Sequence, residues 1–445
     1  MTSVLWFRRD LRLRDHPAMH EAAKDGPVVA LFVLDQALLR PSGAPRVAFL
    51  YRALRALDAE LREHGGRLVL RRGDPVKALP RIARECEASA VHVSADFGPY
   101  GSRRDVAVDD ALGDVPLIRT GSPYAVSPGR VIKDDGTPFK VFTPFYRAWV
   151  AHGWRAPAPS VVGQVDWVAS LDSMEIPRDP SLPRQLTLPG AGEQAALRAW
   201  RRFRSSRLVG YAGDRDRPDL DRTSRMSPYL KWGCIHPRTM LAGLDGDETF
   251  QREIAWREFY AAVLHHFPES ARQYFQPQFA RMTWASADSD AFAAWCAGRT
   301  GYPIVDAGMR QLLAEGWMHN RVRMIVASFL TKDLHIEWRH GARHFMRHLV
   351  DGDLASNQHN WQWTAGSGTD ASPFYRVFNP VSQGRKFDPE GDYVRRWVPE
   401  LGDVEGAAVH EPWELDPAPA RYPDRIVDHA VERKVALERY QAARR

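Results

Sequence analysis

At 445 residues, with 44% hydrophobic and 26% charged side chains, the chain is too long for one ordinary core and has a globular balance, which excludes a disordered or fibrous protein. The net charge is +6, and eight of the 61 basic residues are lysine and the other 53 arginine, so a planar fork suited to phosphate dominates the positive surface, as it also would in an arginine-rich genome. No stretch is apolar enough to span a bilayer and no cleavage site follows the opening MTSVLWF, so the chain reads as cytoplasmic; Cys86, Cys234 and Cys296, three in number and unpaired in spacing, read as buried thiols rather than a disulfide framework or zinc site.

Up to about residue 120, short apolar runs alternate with amphipathic stretches. Strands are expected over 4–7, 28–34, 67–71 and 90–93, with helices over 46–63 and 75–87, the pattern of a doubly wound α/β domain around a parallel sheet. The position directly after the first strand holds Arg8, Arg9 and Asp10 where a phosphate loop needs glycines, so neither a P-loop nor a dinucleotide fingerprint is present. Residues 155–192 carry six prolines with little periodicity and read as a long connection. From Glu193 onward the period is helical, with turn signals at Gly233, Pro268, Gly298, Gly316 and Gly341, and 426–445 reads as one charged terminal helix. The expected organisation is an α/β domain over 1–130, a connection over 131–192 and an all-α domain over 193–445.

Eight of the 15 tryptophans lie beyond residue 280, and spacing alone assigns them to packing. Their polar company points further. In GWMHNRVRM, a helix begun near His319 places Asn320, Arg323 and Met324 on one face, so an amide, a cation and a thioether line one wall, able to bond a base edge, hold an anion and pack a flat ring. In QREIAWREFY, Glu253, Trp256, Arg257 and Tyr260 share a face; a surface ion pair beside a core tryptophan is the plainer reading. In TSRMSPYL, Ser227 before Pro228 reads as an N-cap, with Thr223, Ser224 and Arg225 ahead of a positive helix end where a pyrophosphate could sit, although every helix needs a cap. Asp351 and Asp353 flank a glycine without partner ligands, and His340, His344 and His348 have no cysteine or acid to complete a site; the histidines read as an exposed basic helix face and no metal is expected.

Together with WFRRDLRLRDHPA, the stretches GWMHNRVRM, TGYPIVDAGMRQL, DGDLASN and NWQWTAGSGTDASPFYRVFNP resemble the photolyase and cryptochrome family along essentially the whole chain, nearest its class I cyclobutane pyrimidine dimer photolyases. The resemblance implies an α/β domain carrying an antenna pigment and a helical domain folding a U-shaped FAD, active as the reduced anionic hydroquinone. By motif position, Tyr211, Thr223, Ser224, Arg225 and Ser227 hold the diphosphate and ribitol, and Arg257 lies close to the cofactor. Arg323 and Asp351 pair along the isoalloxazine, Asp353 accepts from its ring N–H, and Asn357 faces the flavin N5, where plant cryptochromes carry aspartate and animal ones commonly cysteine. Glu253, Trp256, Asn320, Met324 and Trp363 map onto the lesion pocket, and Trp361, Trp338 and Trp284 onto the chain that photoreduces oxidised flavin.

The implied reaction is light-driven electron transfer to a flipped-out dimer in ultraviolet-damaged DNA, cleavage of two carbon–carbon bonds and return of the electron. Repair of six-four photoproducts is the first rival, but relatives with that activity use a histidine pair where this chain has Trp317, Met318, His319 and Asn320. A signalling cryptochrome is the second; Glu253 and Asn357 favour repair over it. ADFGPYGSRRD and the helix at Arg46 look closest to members that bind 8-hydroxy-5-deazaflavin, which makes Arg46 and Asp96 the antenna candidates. A monomer, nucleoid-associated when acting on DNA, is expected.

Overall fold

The computed structural model describes residues 2–370 and 375–444, so residues 371–374 of the NWQWTAGSGTDASPFYRVFNP motif lie outside the described residues. Contacts group the chain into two units: residues 1–182, 188–208 and 224–268 form the first, and 183–187, 209–223 and 269–445 the second.

The first unit is built on five parallel strands, β1 (Thr2–Phe7), β2 (Val28–Asp35), β3 (Leu68–Gly73), β4 (Ala88–Val93) and β5 (Leu117–Arg119), in the order β3-β2-β1-β4-β5. β2 is buried along its whole length, which is why it reads as an unbroken apolar run: a parallel sheet covered on both faces has no solvent side to alternate toward. Helices α1 (Pro17–Lys24), α2 (Ala44–Glu63), α3 (Pro75–Glu85) and α4 (Pro99–Leu112) connect the strands, each with a proline in its first turn, where the missing N–H has no partner to lose. The four expected strands and two expected helices are present; β5, three residues long, was too short to announce itself as a period.

The strand order reverses at β1, and an open α/β sheet offers its ligand crevice there, beyond the carboxyl ends of the strands. Asp10 accepts from the Arg8 backbone N–H at 2.7 Å and the Ser94 hydroxyl at 2.6 Å, while the Arg8 guanidinium pairs with Asp105 and the Ser94 carbonyl. Arginine and aspartate side chains, not glycines, follow β1 at this place.

The unit continues through α5 (Phe142–His152), α6 (Glu193–Ser206), α7 (Ser227–Trp232) and α8 (Glu248–His266). Buried polar bonds tie these segments to the loops after the strands. Glu193 accepts from Leu13 N at 2.7 Å, Arg12 donates to the Gly233 carbonyl at 3.1 Å, and Glu258 accepts from Ala125 N at 2.5 Å and Val126 N at 3.0 Å. Gly233, at φ +66°, must be glycine, because a Cβ there would stand 1.9 Å from the Arg9 carbonyl oxygen.

The second unit is helical: α9 (Pro303–Glu315), α10 (Asn320–Ser328), a π-helical turn (Phe329–Asp333), α11 (Trp338–His348), α12 (Leu354–Ala365), α13 (Pro380–Phe387) and α14 (His429–Arg444) are its main pieces. Its core joins Trp295, Trp338, Trp361, Phe329 and Phe345 to the buried faces of α9 and α10. Among the described residues no helix is long and apolar enough to cross a membrane. Of the three cysteines only Cys234 is buried; Cys86 and Cys296 are half-buried, a correction to the expectation.

Candidate functional site

In the second unit, α10 begins where the sequence placed it. His319 caps it, accepting at Nδ1 from Arg321 N at 3.2 Å, and Asn320, Arg323 and Met324 follow at offsets that put them on one face, Asn320 exposed and the other two half-buried. Arg323 donates through Nε to the Met318 carbonyl and through Nη2 to Asp351 Oδ2, both at 2.8 Å. The Asp351 side chain is only 2% exposed, and its other oxygen, Oδ1, has no partner. A buried carboxylate oxygen left unsatisfied costs stability unless a donor arrives, so this atom is shaped for a ligand N–H. The Thr223 hydroxyl is a second buried polar atom without a partner. These two orphans fit a cofactor that brings its own polar groups.

Asp353 caps α12, accepting from Ser356 N at 3.2 Å, and Asn357 follows one turn later with its Nδ2 donating to the Ala342 carbonyl at 3.2 Å and to Gln358 at 2.9 Å. Tyr211 is buried under the Arg215 guanidinium, 5.9 Å from its ring centre. Trp361 and Trp338 are buried in the core and Trp284 packs against it half-buried; Trp338 meets Tyr274 edge-on at 6.0 Å. Trp363 donates to the Asp370 carbonyl at 3.1 Å and lines a cavity with Lys332, Thr364, Tyr375 and Arg376. The volume of that cavity is about 30 Å³.

In the first unit, Glu253, Trp256 and Arg257 share α8. Arg257 donates to the carbonyls of Pro123 at 3.0 Å and Leu230 at 3.3 Å and lies over the Tyr124 ring, so it ties α8 to the neighbouring loop and to α7. Ser227 is not the N-cap. Met226 occupies that position, without a side-chain bond, and Ser227 is the first helical residue; Arg225, at φ +51°, turns the chain one step earlier, and Ser224 Oγ accepts from Met226 N at 3.4 Å. Arg46 is buried in the first turn of α2. Asp96 lies just beyond β4, accepting from Gly98 N at 3.1 Å and from Arg104 at 3.3 Å; burial would raise its pKa, but Arg104, then Arg9 and Arg8, hold it below the ordinary carboxylate value.

The three histidines are not an exposed face. His340, His344 and His348 are all half-buried on α11, His344 against Trp295 at 5.4 Å and His348 at 4.5 Å, and burial pushes the His344 pKa down to about 3. Among the described residues no three His, Cys, Asp or Glu side chains are grouped to hold a metal.

Three residues with evident roles were not singled out in the sequence. Glu258 is 1% exposed and receives a third donor, Trp149 Nε1 at 2.7 Å. Lys332, in the π-helical turn, is 4% exposed, donates to the Arg376 carbonyl and sits 4.5 Å from the Tyr375 ring centre; burial pushes its pKa down to about 7. Phe142 opens α5 and stacks on Trp256. Of these only Phe142 had a local signal, the aromatic run in VFTPFYRAW.

Comparison with known proteins fixes the family. Residues 3–162 match the family described as DNA photolyase, and residues 250–442 the FAD binding domain of DNA photolyase. A deoxyribodipyrimidine photo-lyase of Streptomyces griseus is 44% identical, over 98% of each chain. Among solved structures, a class III photolyase from Agrobacterium tumefaciens superposes with a TM-score of 0.90 at 38% identity, covering 100% of this chain and 98% of its own. A photolyase from Sulfolobus tokodaii, solved with two FAD molecules, gives 0.89 at 31% identity, covering 99% and 100%. A class III enzyme thus stands among the relatives of a chain whose motifs resemble class I, and what the comparisons carry is the family itself. With identity running the length of the chain and both characteristic domains matched, this protein belongs to the DNA photolyase family.

Proposed function

We propose that the chain repairs cyclobutane pyrimidine dimers in DNA with light, as a deoxyribodipyrimidine photo-lyase. The carrying observation is Asp351, buried, bonded through one oxygen to Arg323 and with the other oxygen unpartnered, in a region matched to the FAD-binding domain of the family. FAD supplies the absorption of light and the electron that the reaction lends and recovers. Asp351 and Arg323 would hold the ring system, with Asp353 and Asn357 on α12 addressing its polar edge. Tyr211, Thr223, Ser224, Arg225 and Ser227 would bind the diphosphate and ribitol, with Arg257 close by.

Trp256 and Trp363 would wall a flipped-out dimer, Met324 would pack against it, and Glu253 and Asn320 would bond its base edges. Trp361, Trp338 and Trp284 would serve photoreduction of the oxidised cofactor. The arginine-rich surface supports binding to the DNA backbone, with affinity falling as salt rises. The enzyme is assigned to the cytoplasm as a monomer that joins the nucleoid through its substrate. We assign the antenna as 8-hydroxy-5-deazaflavin beside Arg46 and Asp96. The relative solved with two FAD molecules makes a second flavin the competing reading, and the absorbance of extracted pigment separates them.

The lesion class is tested with matched duplexes carrying a cyclobutane dimer or a six-four photoproduct, illuminated with the FAD-loaded protein. Restored thymines in the first duplex alone support the assignment. Repair confined to the second, or lesion-independent binding with no repair of either, contradicts it.

A further inference from the structure

Phe142 and Trp256 stack with ring centres 3.6 Å apart and planes 8° from parallel. A separation so close to the thickness of the rings leaves little lateral offset, so this is a face-to-face sandwich, the arrangement that aromatic quadrupoles favour least. A core pair free to slide would take an offset. This one is held. Arg252 lies one turn before Trp256 on α8, so both side chains reach Phe142, with the guanidinium carbon 5.4 Å from the Phe142 ring centre and 4.5 Å from that of Tyr146. A cation over a ring draws on its negative face and weakens the repulsion that the sandwich would otherwise carry. Phe259 closes edge-on at 5.8 Å and Tyr146 stacks at 5.8 Å, leaving Phe142 2% exposed while Trp256 stays half-buried.

We propose that Phe142 is a positioning residue for lesion binding, clamping the Trp256 indole so that its solvent-accessible part meets the extruded pyrimidine dimer already immobilised. This rests on the assignment of Trp256 to the lesion pocket. A wall fixed before binding spares the cost of ordering it on contact, so the clamp acts on affinity for the lesion, not on the chemistry that follows.

The test is a double-mutant cycle on the FAD-loaded protein, measuring dark affinity for dimer-bearing and undamaged duplexes and repair per absorbed photon at saturating DNA. Phe142→Leu is expected to weaken binding of the lesion about two- to tenfold, the range for ordering one side chain on binding. Binding of undamaged DNA and saturated repair stay as in the parent, and Phe142→Tyr, which keeps the ring, restores most of the loss. In a Trp256→Ala background Phe142→Leu has no further effect, because there is no indole left to clamp. FAD content and thermal unfolding confirm that each variant is folded. An equal loss in both backgrounds, or none in the parent, overturns the proposal while leaving Trp256 in the pocket. If Trp256→Ala binds the lesion as tightly as the parent, the pocket assignment fails and takes the clamp with it.

Discussion

Glu258 should be among the residues the first unit can least do without. Its carboxylate is 1% exposed and takes three donors, Ala125 N at 2.5 Å, Val126 N at 3.0 Å and Trp149 Nε1 at 2.7 Å, so one side chain of α8 fixes both a loop and α5. Burial raises its pKa, and the three hydrogen bonds only partly offset that. Glu258→Ala strands two buried donors, Val126 N and Trp149 Nε1, and the part-buried Ala125 N, and at about 1–3 kcal/mol for each buried donor the loss is at least about 2 kcal/mol. Glu258→Gln keeps the shape and an acceptor but turns an amide N–H toward one of the donors, costing about 1–3 kcal/mol. Urea unfolding followed by tryptophan fluorescence reads both through the midpoint and slope of the transition. If Glu258→Ala unfolds within about 1 kcal/mol of the parent, the carboxylate is not organising this region and the reasoning is wrong.

Other consequences can be measured the same way. His359 donates from Nδ1 to the Ala355 carbonyl at 2.8 Å and its Nε2 lies 2.9 Å from Ser270 Oγ, and burial pushes its pKa down to about 4 from 6.5. The unfolded chain then binds the extra proton between those values, so stability is complete above about pH 6.5 and lost as pH falls toward 4, by on the order of 3 kcal/mol; His359→Gln should flatten that limb of a pH–stability curve. A Cβ on Gly308 would stand 2.4 Å from Val322 Cγ1 and 3.0 Å from Val326 Cγ1, so Gly308→Ala should cost about 1–3 kcal/mol despite its better helix propensity, and Val322→Ala in the same chain should recover part of it in thermal unfolding. Asp351→Asn should lower FAD retained on purification, because the amide loses the ion pair with Arg323 and presents a donor in place of an acceptor; full retention would remove Asp351 from the cofactor's contacts.

Legibility from sequence followed the range of the interaction. β2 could be read because its neighbours on both faces demand an apolar run, and α10 because His319, Asn320, Arg323 and Met324 keep helical spacing. The cap at Ser227 slipped by one residue because the turn is made by the left-handed backbone of Arg225, which no residue type announces. Glu258 looked like any polar position on a helix; its partners lie 109 to 133 residues away and leave no local mark. The histidines of α11 were misread for the same reason, since the Trp295 that covers His344 comes from another helix. The pairing of Arg323 with Asp351 came from family likeness and then found support in a distance, whereas the unpartnered oxygen of Asp351 had no sequence signal at all.

The measurement that bears most directly on the account is the number of dimers cleaved per flavin oxidised when the reduced, FAD-loaded protein is illuminated without oxygen in a large excess of dimer-bearing DNA, against a dark control. The account predicts many dimers reversed in the light, none in the dark, and a flavin spectrum unchanged at the end, because the electron lent to each dimer returns. One flavin oxidised for each dimer, or no reversal by protein that holds FAD and binds the DNA, would contradict it.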